Sequence, residues 1–385
     1  MIGASADGSA AATTATDTGS ALAASGADPS GADSIRSADT GSAVAADGAS
    51  GTPSIGVTEA DWAAAVAAVS GLPRTASVVL ACHINPDGDA LGSMLGFGLG
   101  LRQLGFVNVR ASFGEPYNLV EGFGFLPGQD LLVPPAQTDP APDLMVTFDA
   151  ASLSRLAELA STLDRAGTSI VLDHHASNPG FGAIRLIAPT AAATAQVAAM
   201  LLERLGVTYD EPIATCLYTG LSTDTGSFKF DATTPAVHEL AARLIATGLR
   251  PAELSRHLFD TRPFGAVRLL GEVLDSARLD PAGARGRGIV YAHADLAGLA
   301  RHNQPSHVLE SFIDVVRTVA EADVACLAKP VRENEWSVSL RSKGANDVAA
   351  VAMALGGGGH RLAAGFTWRG TLDELFAAVD RELSA

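Results

Sequence analysis

The chain has 385 residues, 18% of them charged, and a formal charge of -16 at pH 7. That length can bury a core that needs no disulfide staples, and the acidic balance excludes a basic surface for long duplex nucleic acid, because holding many phosphates takes as many lysines and arginines. Short anionic substrates stay open if bound cations offset the charge locally.

Residues 1–56 are almost entirely Ala, Gly, Ser, Thr and Asp, with six aspartates against the single Arg36. Such a segment buries too little apolar surface to offset its ordering entropy, so a disordered acidic tail is predicted. From residue 57, short apolar runs alternate with helical stretches. Strands are expected at 77–82, 107–112, 143–148 and 169–172, and helices at 90–104, 152–166, 191–205, 211–221, 235–247 and 263–278. This alternation predicts an α/β fold with a mostly parallel sheet covered by helices on both faces. The turn P-A-G-A-R-G-R-G at 281–288 marks a boundary. Strand-like runs at 289–293, 322–328 and 336–341, helical runs at 346–354 and 372–383, and a four-glycine loop then predict a smaller C-terminal α/β domain. The expected division is 57–262, a linker helix and turn at 263–283, and 284–385. Cys82, Cys216 and Cys326 are far apart in apolar runs, where a free thiol acts as a small hydrophobe. With no apolar membrane span and no basic-then-apolar leader, a cytoplasmic protein without a membrane partner is expected.

The chemistry concentrates at strand ends. H-I-N-P-D-G-D at 83–89 follows the first strand. A capping turn and an aspartyl-phosphate nucleophile are both open for this segment alone. A calcium loop is not, because Ala90 stands at its glycine position and Gly96 where the bidentate glutamate belongs. Asp149 follows L-M-V-T-F, Asp173-His174-His175 follows S-I-V-L, and Asp224 lies in the polar turn S-T-D-T-G-S after the apolar run 213–221. In a parallel sheet the carboxyl ends of neighbouring strands open onto one crevice. His83, Asp87, Asp89, Asp149, Asp173, His174 and Asp224 would meet there with hardly a cation among them, and divalent ions relieve that repulsion. A metal pair bridged by a carboxylate supports in-line displacement at phosphorus. Mixed oxygen and imidazole ligands suit Mn2+ first, with Mg2+ or Co2+ as alternatives.

H-I-N-P-D-G-D-A-L-G-S, T-F-D-A, D-H-H and S-T-D-T-G-S-F resemble, in order, the four motifs of the DHH phosphoesterase superfamily. The resemblance implies that His83 and Asp87 hold one ion, that Asp89, His174 and Asp224 hold the other, and that Asp149 bridges them. Asp173 would orient a ligand, and His175 would contact the scissile phosphate or leaving group.

L-G-G-G-G-H at 355–360 lacks the Lys-Ser/Thr of a Walker loop. A hinge is one reading; a backbone cradle for phosphate or base at Gly357, Gly358 and Gly359, with His360 as an added donor, is the other. Arg341, Ser342 and Lys343 stand at an expected strand end and suit a phosphate. Together these segments resemble the DHH-associated C-terminal domain of the nanoRNase type, whose members include bifunctional oligoribonucleases with 3'-phosphoadenosine 5'-phosphate (PAP) phosphatase activity and cyclic di-AMP phosphodiesterases. The implied substrates are short RNA, PAP, cyclic di-AMP or its linear product pApA, and a homodimer is implied with them. Gln196 departs from the resemblance, standing where an acidic residue is expected. A non-catalytic nucleotide sensor and an inorganic pyrophosphatase of the same superfamily are the rival readings.

Overall fold

The computed structural model describes residues 55–117 and 121–385. The expected tail, through residue 54, lies outside the described residues, while Ile55 and Val57 are buried in the core. The first sheet runs β1 (Val78–Cys82), β2 (Val109–Phe113), β3 (Leu144–Phe148), β4 (Thr168–Asp173) and β5 (Ile184–Ile187), all parallel, in the order β2-β1-β3-β4-β5. Its central strands read V-V-L-A-C and L-M-V-T-F and are buried throughout, as a sheet covered on both faces requires. Strand order reverses between β1 and β3, and Cys82 registers with Phe148. The next residues, His83 and Asp149, therefore emerge side by side at the crevice where such sheets bind ligands.

The helices around this sheet are α1 (Glu59–Ser70), α2 (Gly88–Gln103), α3 (Ala160–Arg165), α4 (Thr194–Arg204), α5 (Glu211–Asp224), α6 (Pro235–Ile245) and α7 (Pro251–Leu258), whereas α8 (Phe264–Asp275) packs Leu269 and Val273 with Val290 and Ala292 of the second sheet. Two expectations change here. The helix expected over 152–166 starts as 3-10 turns at Leu153–Leu159, with Ala157 at φ 49° and ψ -126°, and only then becomes α3. Asp224, expected in a turn, is the last residue of α5. The four-residue edge strand β5 was too short for its pattern to register.

Glycines on α2 bring the acidic ends together. Gly88, Gly92, Gly96 and Gly100 recur every fourth residue and so share one face of the helix. A Cβ at Gly92 would stand 2.4 Å from the Cys216 carbonyl oxygen of α5, and one at Gly88 would stand 2.4 Å from the Thr223 methyl. Backbone contact at this range places the start of α2, with Asp87 and Asp89, beside the end of α5, with Asp224. Gly92→Ala should cost about 2 kcal/mol by overpacking; a lowered melting temperature together with weakened metal binding would show it.

The second sheet is mixed. It comprises β6 (Arg278–Asp280), β7 (Ile289–His293), β8 (Val324–Arg332), β9 (Glu335–Ser342), β10 (Gly358–His360) and β11 (Ala363–Arg369), in the order β10-β11-β9-β8-β7-β6. With it go α9 (Gly283–Gly286), α10 (Leu296–Arg301), α11 (Ile313–Val316), α12 (Val348–Ala354) and α13 (Leu372–Ser384). The four-glycine stretch is not wholly a loop, because its last residues pair with β11 as an edge strand. Two of its glycines are demanded by that approach. A Cβ at Gly357 would lie 2.1 Å from the Gly365 carbonyl oxygen, and Gly359, at φ 142°, would meet Ala363 oxygen at 2.6 Å. Gly358 faces open space.

Candidate active site at the carboxyl ends of the first sheet

Two clusters of imidazole and carboxylate groups form around Asp149. His83 Nε2 lies 3.5 Å from Asp149 Oδ2 and 3.9 Å from Asp87 Oδ2. His174 Nε2 lies 3.1 Å from Asp224 Oδ2, 3.5 Å from Asp149 Oδ1 and 3.9 Å from Asp89 Oδ2. The two oxygens of Asp149 thus face different histidines. Asp149 sits at φ 56°, a left-handed conformation that aspartate tolerates better than most residues and that aims its side chain back across the strand ends.

Each histidine is held so that Nε2 faces the carboxylates. Nδ1 of His83 is 2.8 Å from the Ile84 carbonyl oxygen, and Nδ1 of His174 is 3.4 Å from that of Ala191. A proton on Nδ1 leaves the Nε2 lone pair for a cation. Asp89 is completely buried. It accepts from the Thr194 and Ala195 backbone N–H groups at the start of α4, at 2.6 and 2.8 Å, where the helix dipole favours a negative charge.

The electrostatics show a shortage of positive charge. Burial, then Asp224 and Asp149, push the Asp89 carboxyl well up, and burial raises Asp224. Burial would lower His174, but the hydrogen bond and charge of Asp224 override it and raise the imidazole. Burial also works to raise Asp149, yet the His83 hydrogen bond and the neighbouring imidazoles hold it far below the usual carboxylate range. Asp89 and Asp224 are driven toward neutrality while the imidazoles of His83 and His174 are driven toward charge, so the carboxylates here favour any positive partner. The donor chemistry fits divalent ions: His83, Asp87 and Asp149 form one set, Asp89, His174 and Asp224 another, and donor atoms within each lie within 4.8 Å of one another.

Asp173 acts on a different neighbour from the one anticipated. Its Oδ1 accepts from His175 Nδ1 at 2.8 Å, and Oδ2 accepts from Asn178 Nδ2 at 2.6 Å, so it steers His175 while reaching His174 only through the backbone N–H. His360, from β10, stacks on His175 with ring centres 4.5 Å apart and lies 4.9 Å from His174. Burial, then His175 and His174, push His360 down to about 4, which keeps it neutral at physiological pH. Arg341, on β9, is partly buried; burial lowers its basicity while Asp314, Glu310 and Asp224 favour its charge.

The flanking polar residues divide. The Ser342 hydroxyl donates to Asp323 Oδ2 at 3.0 Å and accepts from Gly344 N–H at 3.0 Å, so it is committed to the turn after β9. Lys343 is exposed and donates to the Val319 carbonyl oxygen. Alternation along the strand separates Ser342 from Arg341. Asp224 bears electrostatically on Arg341, whereas Ser342 and Lys343 are committed to the turn after β9 and to Val319.

Thr194 was not anticipated. Its hydroxyl donates to Asp149 Oδ1 at 2.9 Å, while its backbone holds Asp89, so one residue fixes ligands of both sets. In the sequence, T-A-A-A-T-A-Q reads only as the start of a helix. Gln196, the departure from the expected acid, accepts from Ala192 N–H at 2.9 Å and closes the turn that presents Thr194. Thr194→Val should weaken metal affinity or activity roughly 10- to 100-fold, the usual effect of losing a group that orients a ligand; a Mn2+ titration of turnover checks it.

A family model described as DHH family, N-terminal domain, matches residues 77–221, and one described as DHHA1 domain matches 289–385. The chain is 35% identical to the bifunctional oligoribonuclease and PAP phosphatase NrnA of Thermus thermophilus, over 80% of this chain and 88% of that protein. It is 24% identical to the probable bifunctional oligoribonuclease and PAP phosphatase NrnA of Streptococcus mutans, over 75% and 88%. The crystal structure of an exopolyphosphatase-related protein from Bacteroides fragilis shares the fold, with a TM-score of 0.75 at 21% identity, covering 85% of this chain and 96% of that one. With both domains matched and the D-H-H triplet at the centre of the cluster, the chain belongs to the DHH family of phosphoesterases.

Proposed function

We propose that this protein is a metal-dependent phosphodiesterase and phosphatase of the oligoribonuclease and PAP phosphatase type, acting on short RNA oligonucleotides, PAP, and cyclic di-AMP or its linear product pApA. The observation that carries this reading is the convergence of six ligand side chains in one cleft with His360 of the second sheet stacked against them. His83, Asp87, Asp89, Asp149, His174 and Asp224 would hold two divalent ions, manganese by preference. Bound there, the ions would supply Lewis acidity for in-line attack of water at phosphorus.

The chain's own groups account for the rest. Asp173 and Asn178 fix the His175 ring. Burial would lower His175, but its hydrogen bond to Asp173 raises it, favouring an imidazolium that can protonate the departing oxygen. Arg341 would pair with a terminal phosphate, neutral His360 would donate to it, and open space at Gly358 would let the ligand approach the backbone. Residues 57–262 would be the catalytic domain, 263–283 the linker and 284–385 the substrate-binding domain, with Ser342, Lys343, Gly357 and Gly359 shaping its turns rather than meeting the ligand directly. With His360 of the second sheet set over His174 and His175, the site would take short chains rather than long duplexes.

The protein would work in the cytoplasm; no helix among the described residues is long and apolar enough to cross a membrane. A homodimer is the oligomeric state that the family resemblance implies. Initial rates with Mn2+ on 5'-phosphorylated RNA of two to five residues, PAP and cyclic di-AMP test the assignment. Turnover of at least one is expected; unchanged substrates beside an active control enzyme would favour a sensor.

A further inference from the structure

We propose that Arg155 binds the phosphate beyond the scissile one, on the flank of the cleft away from the C-terminal domain, and so tunes the enzyme toward substrates longer than a dinucleotide. This rests on the phosphodiesterase reading above. The Arg155 guanidinium stands 3.0 Å from His83 Nδ1, and that same nitrogen is 2.8 Å from the Ile84 carbonyl oxygen. With His83 Nε2 turned to Asp149 and Asp87, Nδ1 carries the proton and gives it to Ile84. The arginine therefore meets a donor, not an acceptor. Among the described residues no carboxylate lies within ion-pair distance of it, although acidic side chains fill the neighbouring cluster. The residue is exposed, so these donors face solvent and stay open to an anionic ligand arriving at the His83 end of the cluster.

The residue's position is fixed by its backbone. The Arg155 carbonyl accepts from Ile84 N–H at 2.9 Å, and its own N–H donates to the Ser152 carbonyl at 3.0 Å. Two residues on, Ala157 adopts φ 49° and ψ -126°, an unfavourable conformation for alanine. That turn is packed against Gly114, where a Cβ would come within 2.7 Å of the Ala157 Cβ and 2.9 Å of the Ile84 methyl. A segment held this tightly presents Arg155 to the His83 end of the cluster at little further entropic cost on binding.

Direction follows from the layout. Asp149 lies between His83 and His174. His360 stacks at the His174 end, and Arg341 feels Asp224 at that same end. A strand whose terminal nucleotide is gripped there, with its scissile phosphate over Asp149, continues past His83 to Arg155. A dinucleotide ends before this contact; a trinucleotide makes it.

Steady-state kinetics in Mn2+ on 5'-phosphorylated di-, tri- and penta-adenylate test this with the full chain and with Arg155→Gln and Arg155→Lys. The ratio of trinucleotide KM to dinucleotide KM should rise about tenfold in Arg155→Gln, the loss of one charge-assisted phosphate contact, with kcat for the trinucleotide changing less than KM. Arg155→Lys, which keeps the charge, should recover part of that ratio. An equal change on all three lengths would reduce Arg155 to a support for His83 and overturn the proposal, as would an unchanged ratio. Wild-type protein that hydrolyses none of the three would overturn the phosphodiesterase reading and this proposal with it.

Discussion

Asp149→Ala should lower turnover of any phosphoester substrate by roughly a thousandfold or more, even in saturating Mn2+. Its two oxygens face the histidines of both ligand sets, at 3.5 Å each, and one also receives the Thr194 hydroxyl. Losing a single electrostatic contact at a reacting centre already costs about a hundred- to a thousandfold, and this carboxylate would serve both proposed ion sites together. Because Asp149 has φ 56°, alanine there adds backbone strain, so Asp149→Asn is the cleaner variant: asparagine tolerates that conformation and removes only the charge. Both variants should lose activity alike while Asp149→Asn keeps its melting transition. Near-normal turnover by Asp149→Asn would show that the ligand assignment is wrong.

Arg341→Ala should cost about 2–4 kcal/mol of transition-state binding, roughly 30- to 1000-fold in kcat/KM. The guanidinium is partly buried, and burial works against its charge while Asp314, Glu310 and Asp224 favour it. The loss should appear mainly in KM for substrates with a terminal phosphate and much less for those lacking one. Equal losses on both would mean that Arg341 supports the sheet rather than the ligand.

What the sequence made legible follows from locality. β1, β3 and β4 are mostly apolar, each with its acidic or histidine residue immediately after the last apolar position, so strand and site were visible together. Strand ends in a parallel sheet then bring distant motifs into one crevice without any knowledge of side-chain geometry. Features that depend on contacts between elements were hidden. Thr194 looks like any helix-starting threonine, and only the meeting of α4 with β3 gives its hydroxyl to Asp149. The four glycines suggested a ligand cradle, but Gly357 and Gly359 are fixed first by the approach of β11. Ser342 shares the R-S-K segment with Arg341, yet strand alternation turns it to Asp323. The apolar run of α5 showed no signal for where its helix stops, so Asp224 was expected one turn outside it.

Counting manganese bound per chain measures the central claim most directly. Equilibrium dialysis followed by elemental analysis should find two ions per chain in the wild type and fewer than two in Asp149→Asn. A wild-type chain that binds none, or a variant that still binds two, would contradict a paired-ion centre built on Asp149.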